Sequence, residues 1–274
     1  MASATTARPR RLLTRTQRTR LFRGTLYLLL VLLTVVLGLA VDWAAVQRAF
    51  FNPDVALETM PLMITRAARN TVIYTVGSFV IGLFLGLLLA LMKLSPVAPY
   101  RWIATAYIEF FRGLPAILTI FLVGFSLPIA FDGVRVPFGT PGSGTLALGL
   151  VAAAYMAETI RAGIQAVPRG QVEAARSLGM SQGRAMASIV LPQAFRIIVP
   201  PLTNEVVLLI KDTSLFFVIG FQIQQKDIFT FSRDIATNNF NATPLIVGGF
   251  VYLAITLPLT RLVAALERRQ SRAR

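Results

Sequence analysis

Apolar positions in this chain fall into long charge-free runs rather than the short amphipathic stretches of a soluble protein. Five such runs cover residues 25–41, 70–92, 113–131, 136–157 and 235–260. A sixth, 197–225, is interrupted by Glu205 and by the adjacent pair Lys211 and Asp212. A helix rises 1.5 Å per residue, so runs of this length match a hydrocarbon core of about 30 Å. Lipid offers backbone N–H and C=O groups no water, so each run is predicted as a helix. The fold class that follows is all-α: a polytopic membrane helix bundle with about six spans.

Within the second run, Ser78, Gly82, Gly86 and Ala90 recur every four residues and so share one helix face. Small side chains on one face let helix backbones approach closely in lipid. That face serves either helix packing or a dimer contact.

Composition agrees with a membrane chain. Hydrophobic residues make up 55% of the sequence and charged residues 14%, against about 25% charged in soluble domains. The net charge of +15 raises nucleic acid as a partner, but the placement of the charges argues for a membrane. With the N-terminus in the cytoplasm, the inner segments 1–25, 93–101, 161–196 and 261–274 hold nineteen of the twenty-seven basic residues. The outer segments hold six: Arg48, Arg66, Arg69, Arg135, Lys226 and Arg233. Asp42, Asp54, Glu58, Asp132, Asp227 and Asp234 are all outside. This is the positive-inside asymmetry, and it predicts that both termini are cytoplasmic. The arginine-rich first 24 residues then face anionic headgroups. The first run is longer than a signal-peptide core and lacks a clear cleavage pattern after it, so a retained helix is expected.

The sequence contains neither Cys nor His. Thiolate and imidazole metal sites, disulfides and His-assisted nucleophiles are therefore excluded, and Gly142-Ser143-Gly144 has no base to make a serine protease. No Gly-Lys dipeptide occurs, so no phosphate-binding P-loop is present. The chain is expected not to be an enzyme.

The longest inner segment, 161–196, carries the most information. Residues 171–178 are good helix formers after the Pro168-Arg169-Gly170 turn, and Gly179 is placed to end that helix in a left-handed conformation. Ser181 suits the N-cap of a second short helix running to Val190, and Pro192 is expected to turn the chain into the next span. An exposed small-residue helix of this kind suits a groove on a partner. Charged residues also sit at membrane depth, where each needs a partner or a wet cavity. Glu109 with Arg112, and Glu158 with Arg161, are three apart and can each pair along a helix.

Glu173-Ala174-Ala175, three residues, Gly179, nine residues, then Ile189-x-Leu191-Pro192 resembles the EAA loop of ABC importer permeases. Residues 157–171, 191–196, 200–204, 211–215 and Glu109-Phe110-Phe111-Arg112-Gly113-Leu114-Pro115 resemble the polar amino-acid branch of that superfamily. Ala162 departs from the Gly usual there. The resemblance covers about residues 65–265. It implies a type I ABC importer transmembrane-domain fold in a bacterial plasma membrane. Residues 1–24 would be a basic cytoplasmic tail, 25–43 an extra transmembrane helix, 65–265 the importer domain with its loop at 161–196, and 266–274 a second tail.

The resemblance further implies two ATPase subunits that bind ATP and Mg, a second permease chain (identical or related), and an extracytoplasmic amino-acid-binding protein; this chain would hold no cofactor and bind no nucleic acid. Gln171, Glu173, Ala174, Ala175, Leu178, Gly179 and Arg184 would couple to the ATPase. Asn70, Glu158, Asn204, Lys211 and Thr213 are candidates for a polar substrate path, because an amino acid needs both donors and acceptors. An opine-like zwitterion is an alternative cargo. An ion-coupled secondary transporter, with Glu109 and Glu158 as ion ligands, is an alternative machine.

Overall fold

The computed structural model describes residues 15–131 and 136–272. Arg8, Arg10 and Arg11 of the basic tail, Asp132 and Arg135 of an outer segment, and residues 273–274 lie outside the described residues. Two compact units emerge, Met1–Ala49 and Phe50–Arg274. In the first, helix α1 (Arg15–Ala40) begins ten residues ahead of the apolar run. Along it the Thr19 and Thr25 hydroxyls donate back to the carbonyls of Arg15 and Leu21, which keeps these polar side chains paired within the helix. The Trp43 indole N–H, at the start of α2 (Trp43–Phe50), donates to the Gly38 carbonyl at 2.7 Å and folds the end of α1 onto the next turn.

The second unit is a helical bundle. Helix α3 (Pro53–Leu62) is capped by the Asn52 side chain, which accepts from the Asp54 and Val55 amides. A π-helical turn, Met63–Ala68, leads into α4 (Arg69–Leu94). Then come α5 (Ala98–Gly113), α6 (Ala116–Phe121), a π-helical turn (Leu122–Ser126) and α7 (Leu127–Ala130). Helix α8 (Thr140–Gln165) runs through the middle of the bundle and is the most buried. After it follow α9 (Arg169–Ser177), α10 (Gln182–Ala185), a π-helical turn (Met186–Val190), α11 (Leu191–Asp212), a 3₁₀ segment (Thr213–Ile219), α12 (Ile228–Asn239) and α13 (Thr243–Arg272). Among the described residues there is no strand. Five helical stretches are long and apolar enough to span a membrane, and six if α5 with α6–α7 counts as one.

The small-residue face of α4 is spent inside the chain. Ser78, Gly82, Gly86 and Ala90 are all buried, and α4 makes its most extensive pairing with α8. A Cβ added at Gly86 would lie 3.0 Å from both the Ala153 carbonyl oxygen and the Met156 Cβ, and one at Gly82 2.9 Å from the Ala152 Cβ. Glycine is what lets the two backbones come this close. Against this pair, Tyr74, Phe216 and Phe221 form a ring cluster with centroids 5.6–5.8 Å apart. That cluster joins α4 to the 3₁₀ segment that follows α11, within a core that also holds Ile120, Leu148, Met156 and Leu209.

Three boundaries differ from the sequence expectation. The run 113–131 does not begin a straight span: α5 and the α6–α7 helix meet at 104°. Leu114 precedes a proline and takes extended ψ, and Pro115 then caps α6. Pro192 makes no turn. The helix passes from α10 into α11 through the π-helical turn at 186–190, where Leu191 N–H donates to the Met186 carbonyl, and Pro192 occupies the first positions of the new segment. The run 235–260 is divided at the left-handed residue Phe240, where α12 ends ahead of α13.

Candidate functional site: a capped elbow and an acidic cleft

Helix α9 and its cap form the elbow predicted from the sequence. Gly179 takes φ +85. Its amide donates to the Arg176 carbonyl and the Met180 amide to the Ala175 carbonyl, at 3.0 and 3.1 Å. This pair of bonds is the Schellman closure, which fixes the end of a helix and satisfies its last carbonyls. Ser181 then caps α10 by accepting from the Arg184 amide.

The two alanines of the motif do different work. Ala175 is buried, and half-buried Val172 seats α9 on a cluster that includes Ile164, Val167, Val190, Ala194 and Ile198. Ala174, about 100° round the helix from Ala175, is exposed. Leu178, one turn on, is 85% exposed despite being apolar. Glu173, Gly179 and Arg184 are exposed as well. Gln171 is tied down: its side-chain oxygen accepts from the Gln193 amide on α11 at 2.8 Å.

The membrane-depth charges separate into distinct places. Glu158 meets Arg161, with Nη2 at 2.7 Å, and also Lys93 of α4 at 2.5 Å. Glu109 and Arg112 do not pair among the described residues. Arg112 instead lies over the Tyr155 ring, 5.5 Å from its centroid, where the aromatic face attracts a cation.

Asn70 sits at the other end of α4. Its amide donates to the carbonyls of Gln224 and Lys226, at 2.9 and 3.1 Å. The Tyr74 hydroxyl donates to the Gln225 carbonyl and the Thr71 hydroxyl accepts from the Ile228 amide. These bonds clamp the turn before α12, where buried Asp227 accepts from the Phe229 and Thr230 amides and the Thr230 hydroxyl. Burial holds the Asp227 carboxyl above the usual carboxylate range, with those hydrogen bonds pulling the other way.

A cleft of about 280 Å³ opens between α8, the α5–α6 junction and α11. Leu114, Val151, Tyr155 and Leu208 give it apolar walls, and Glu205 and Asp212 are its acids. Those two residues are seven apart on α11, so they share a face over two turns. Asn204 and Lys211, one residue before each acid, are exposed and do not line the cleft. Thr213 is buried, with its hydroxyl donated to the Ile210 carbonyl. The structure thus brings none of Asn70, Glu158, Asn204, Lys211 and Thr213 into the cleft. The seven-residue spacing of the two acids was the sequence signal for its lining. Among the described residues no cluster of metal-ligating side chains occurs.

A bundle of membrane-length helices with an apolar-walled cleft that holds two acids, and with a capped elbow, belongs to the class of multi-pass membrane transport subunits. Residues 78–272 match the family described as "Binding-protein-dependent transport system inner membrane component". The chain belongs to this family and is a permease component of an ABC importer.

It is 33% identical over 240 residues to the L-cystine transport system permease protein TcyB of Bacillus subtilis (strain 168), covering 87% of this chain and 95% of that one. It is 39% identical over 194 residues to the arginine transport system permease protein ArtQ of the same organism, covering 71% and 86%. The solved structure titled "Crystal structure of an amino acid ABC transporter with histidines" matches with a TM-score of 0.70 at 36% identity, over 78% of this chain and 96% of that chain.

Proposed function

We propose that this chain carries a polar amino acid inward across a bacterial plasma membrane, driven by ATP hydrolysis in two separate ATPase subunits. A second permease chain completes the pathway and an extracytoplasmic binding protein delivers the solute. ATP and Mg belong to the ATPase subunits. Both termini face the cytoplasm, a reading supported by nineteen basic residues in the inner segments against six in the outer ones. Relatives named for cystine, arginine, glutamine and glutamate/aspartate transport support the solute class.

The observation that carries the coupling mechanism is the elbow. One face of α9 is seated on the bundle through Val172, with Ala175 buried, its end is locked at Gly179, and Ala174 and Leu178 are exposed. A rigid presented face can transmit displacement from a partner to α8 and α11, the two helices that wall the cleft. Within the cleft, Glu205 and Asp212 suit the ammonium group that every amino acid carries, and the apolar walls suit its carbon skeleton.

The test is Gly179→Asp in the assembled importer. Nothing lies within 4 Å of a Cβ built at Gly179, so the strain of a non-glycine residue at φ +85 stays local to the exposed cap, where Asp is among the residues that tolerate it best, and the variant is expected to insert. The left-handed φ and the new charge fall on the docking tip, and solute-stimulated ATP hydrolysis is expected to fall at least tenfold. Hydrolysis at the unmodified rate would overturn the coupling role.

A further inference from the structure

Among the described residues, the side-chain polar contacts between α4 and α8 fall at two separate places along the pair. At one, the Ser78 hydroxyl donates to the Thr145 carbonyl at 3.0 Å. At the other, a single carboxylate serves two cations. Glu158 Oε1 lies 2.5 Å from Lys93 Nζ, in the last turn of α4, and Oε2 accepts from both Nε and Nη2 of Arg161, at 3.0 and 2.7 Å. The third guanidinium nitrogen of Arg161 goes on to the Gln165 side-chain oxygen at 2.6 Å.

This chain of contacts points at the elbow. Gln165 is the last residue of α8, and three residues connect it to α9. Gln165 also lines a cavity of about 440 Å³ beneath α9, together with Val167, Arg169, Val172, Met186 and Val190. Helix α9 is therefore not packed on solid core along its whole underside. Its polar ties are Gln171 to Gln193 of α11 on one side and, through the end of α8, the Lys93–Glu158–Arg161–Gln165 series on the other.

We propose that Glu158 is a positioning residue whose carboxylate, shared between Lys93 on α4 and Arg161 on α8, fixes where the end of α8 holds the coupling elbow. The proposal rests on the coupling reading of α9 given above. The charge count sets the mechanism. With Glu158 ionised, the group is one anion between two cations, and both contacts are charge-assisted hydrogen bonds. Without that anion, Lys93 and Arg161 become neighbouring like charges that push the ends of α4 and α8 apart. Displacement of α8 at this point carries α9 with it, because the connection is only three residues long. Glu158 does not line the acidic cleft, so it acts on coupling and leaves solute recognition alone.

The experiment measures solute uptake, ATP hydrolysis and solute KM in proteoliposomes holding the complete importer with its binding protein. Glu158→Gln is expected to lower uptake per ATP hydrolysed about fivefold or more with the solute KM unchanged. Lys93→Met leaves a neutral Glu158–Arg161 pair and is expected to have a smaller effect. The double variant Lys93→Met/Glu158→Gln removes the repulsion and is expected to recover part of the loss seen in Glu158→Gln alone. Lys93→Arg should keep the unmodified ratio.

A changed KM with an unchanged ratio would overturn the proposal and place Glu158 on the solute path. Unchanged stoichiometry in Glu158→Gln, or in Lys93→Met should Glu158→Gln not fold, would overturn it as well. Gly179→Asp, run in parallel, separates the two readings. If Gly179→Asp uncouples and Glu158→Gln does not, the positioning role alone fails. If Gly179→Asp stays coupled, the elbow itself is misassigned.

Discussion

Between α4 and α8, every member of the small-residue stripe is buried and backbone meets backbone at near-contact distance. At α9, Ala175 is buried and Val172 lies over a cavity, while most of the helix's residues are exposed. The first interface tolerates no added volume and offers no partner surface. The second is held by caps and side-chain amides, and its outward face stays free of the core. One is the fixed frame of the bundle. The other is a lightly seated helix at its edge, and the difference teaches that a small seat with capped ends leaves a helix face open to a partner, whereas a backbone-to-backbone seam leaves none.

Substitutions that add volume or charge test that contrast, and the largest effect is expected at the frame. Gly86→Leu forces a side chain into the Ala153 backbone and Met156, where overpacking costs about 1–3 kcal/mol or more. Loss of monodisperse protein on detergent size-exclusion chromatography is the expected outcome; normal yield would mean that the α4–α8 seam is looser than its distances indicate.

Next in size is the paired substitution at the elbow. Ala175→Leu must displace the seat of α9 and is expected to lower both thermal stability and transport. Ala174→Leu, on the exposed face, should leave the melting temperature within experimental error while impairing ATP-driven uptake. Equal behaviour of the two alanines would erase the distinction between seat and docking face.

A smaller effect is expected at the outer turn. Asp227→Ala removes the N-cap of α12, a change worth about 0.5–2 kcal/mol, and should lower the thermal midpoint with coupling unaffected. The smallest is Gln171→Leu. The loss of one side-chain hydrogen bond to Gln193, worth about 0.5–1.5 kcal/mol, should reduce coupled hydrolysis by a few-fold at most.

Much of this architecture is legible in the sequence because the membrane imposes a coarse rule. Uncharged runs of sufficient length must be helices, so helical runs are legible from where the charges fall, although the bend at 113–116 and the break at Phe240 are not. The elbow was legible for a different reason: Gly179 and Ser181 are local signals, and helix ends are decided locally. Ala174 and Ala175 were not separable in the same way. Identical side chains at adjacent positions point in different directions, and which one is buried depends on how α9 packs on the rest of the bundle.

The bend at Leu114-Pro115 was written in the sequence but lay hidden inside an apolar run. The continuous passage at Pro192 was obscured by the opposite effect, because a π-helical turn absorbed a proline that ordinarily interrupts a helix. The polar path was the least legible. Charge at membrane depth identifies residues that need partners, but Glu158 and Asn70 find theirs in an ion network and a turn clamp. Glu205 and Asp212 are the charged residues that line the cleft.

The most direct test of the elbow as the contact with the ATPase uses the absence of native cysteine. Leu178→Cys places one thiol at the most exposed apolar position of the elbow, and a short bifunctional reagent is then applied to the purified importer with and without ATP. The expected result is a covalent adduct with the ATPase subunit whose yield changes with nucleotide. An intact, ATP-hydrolysing complex that gives no such adduct would contradict the account.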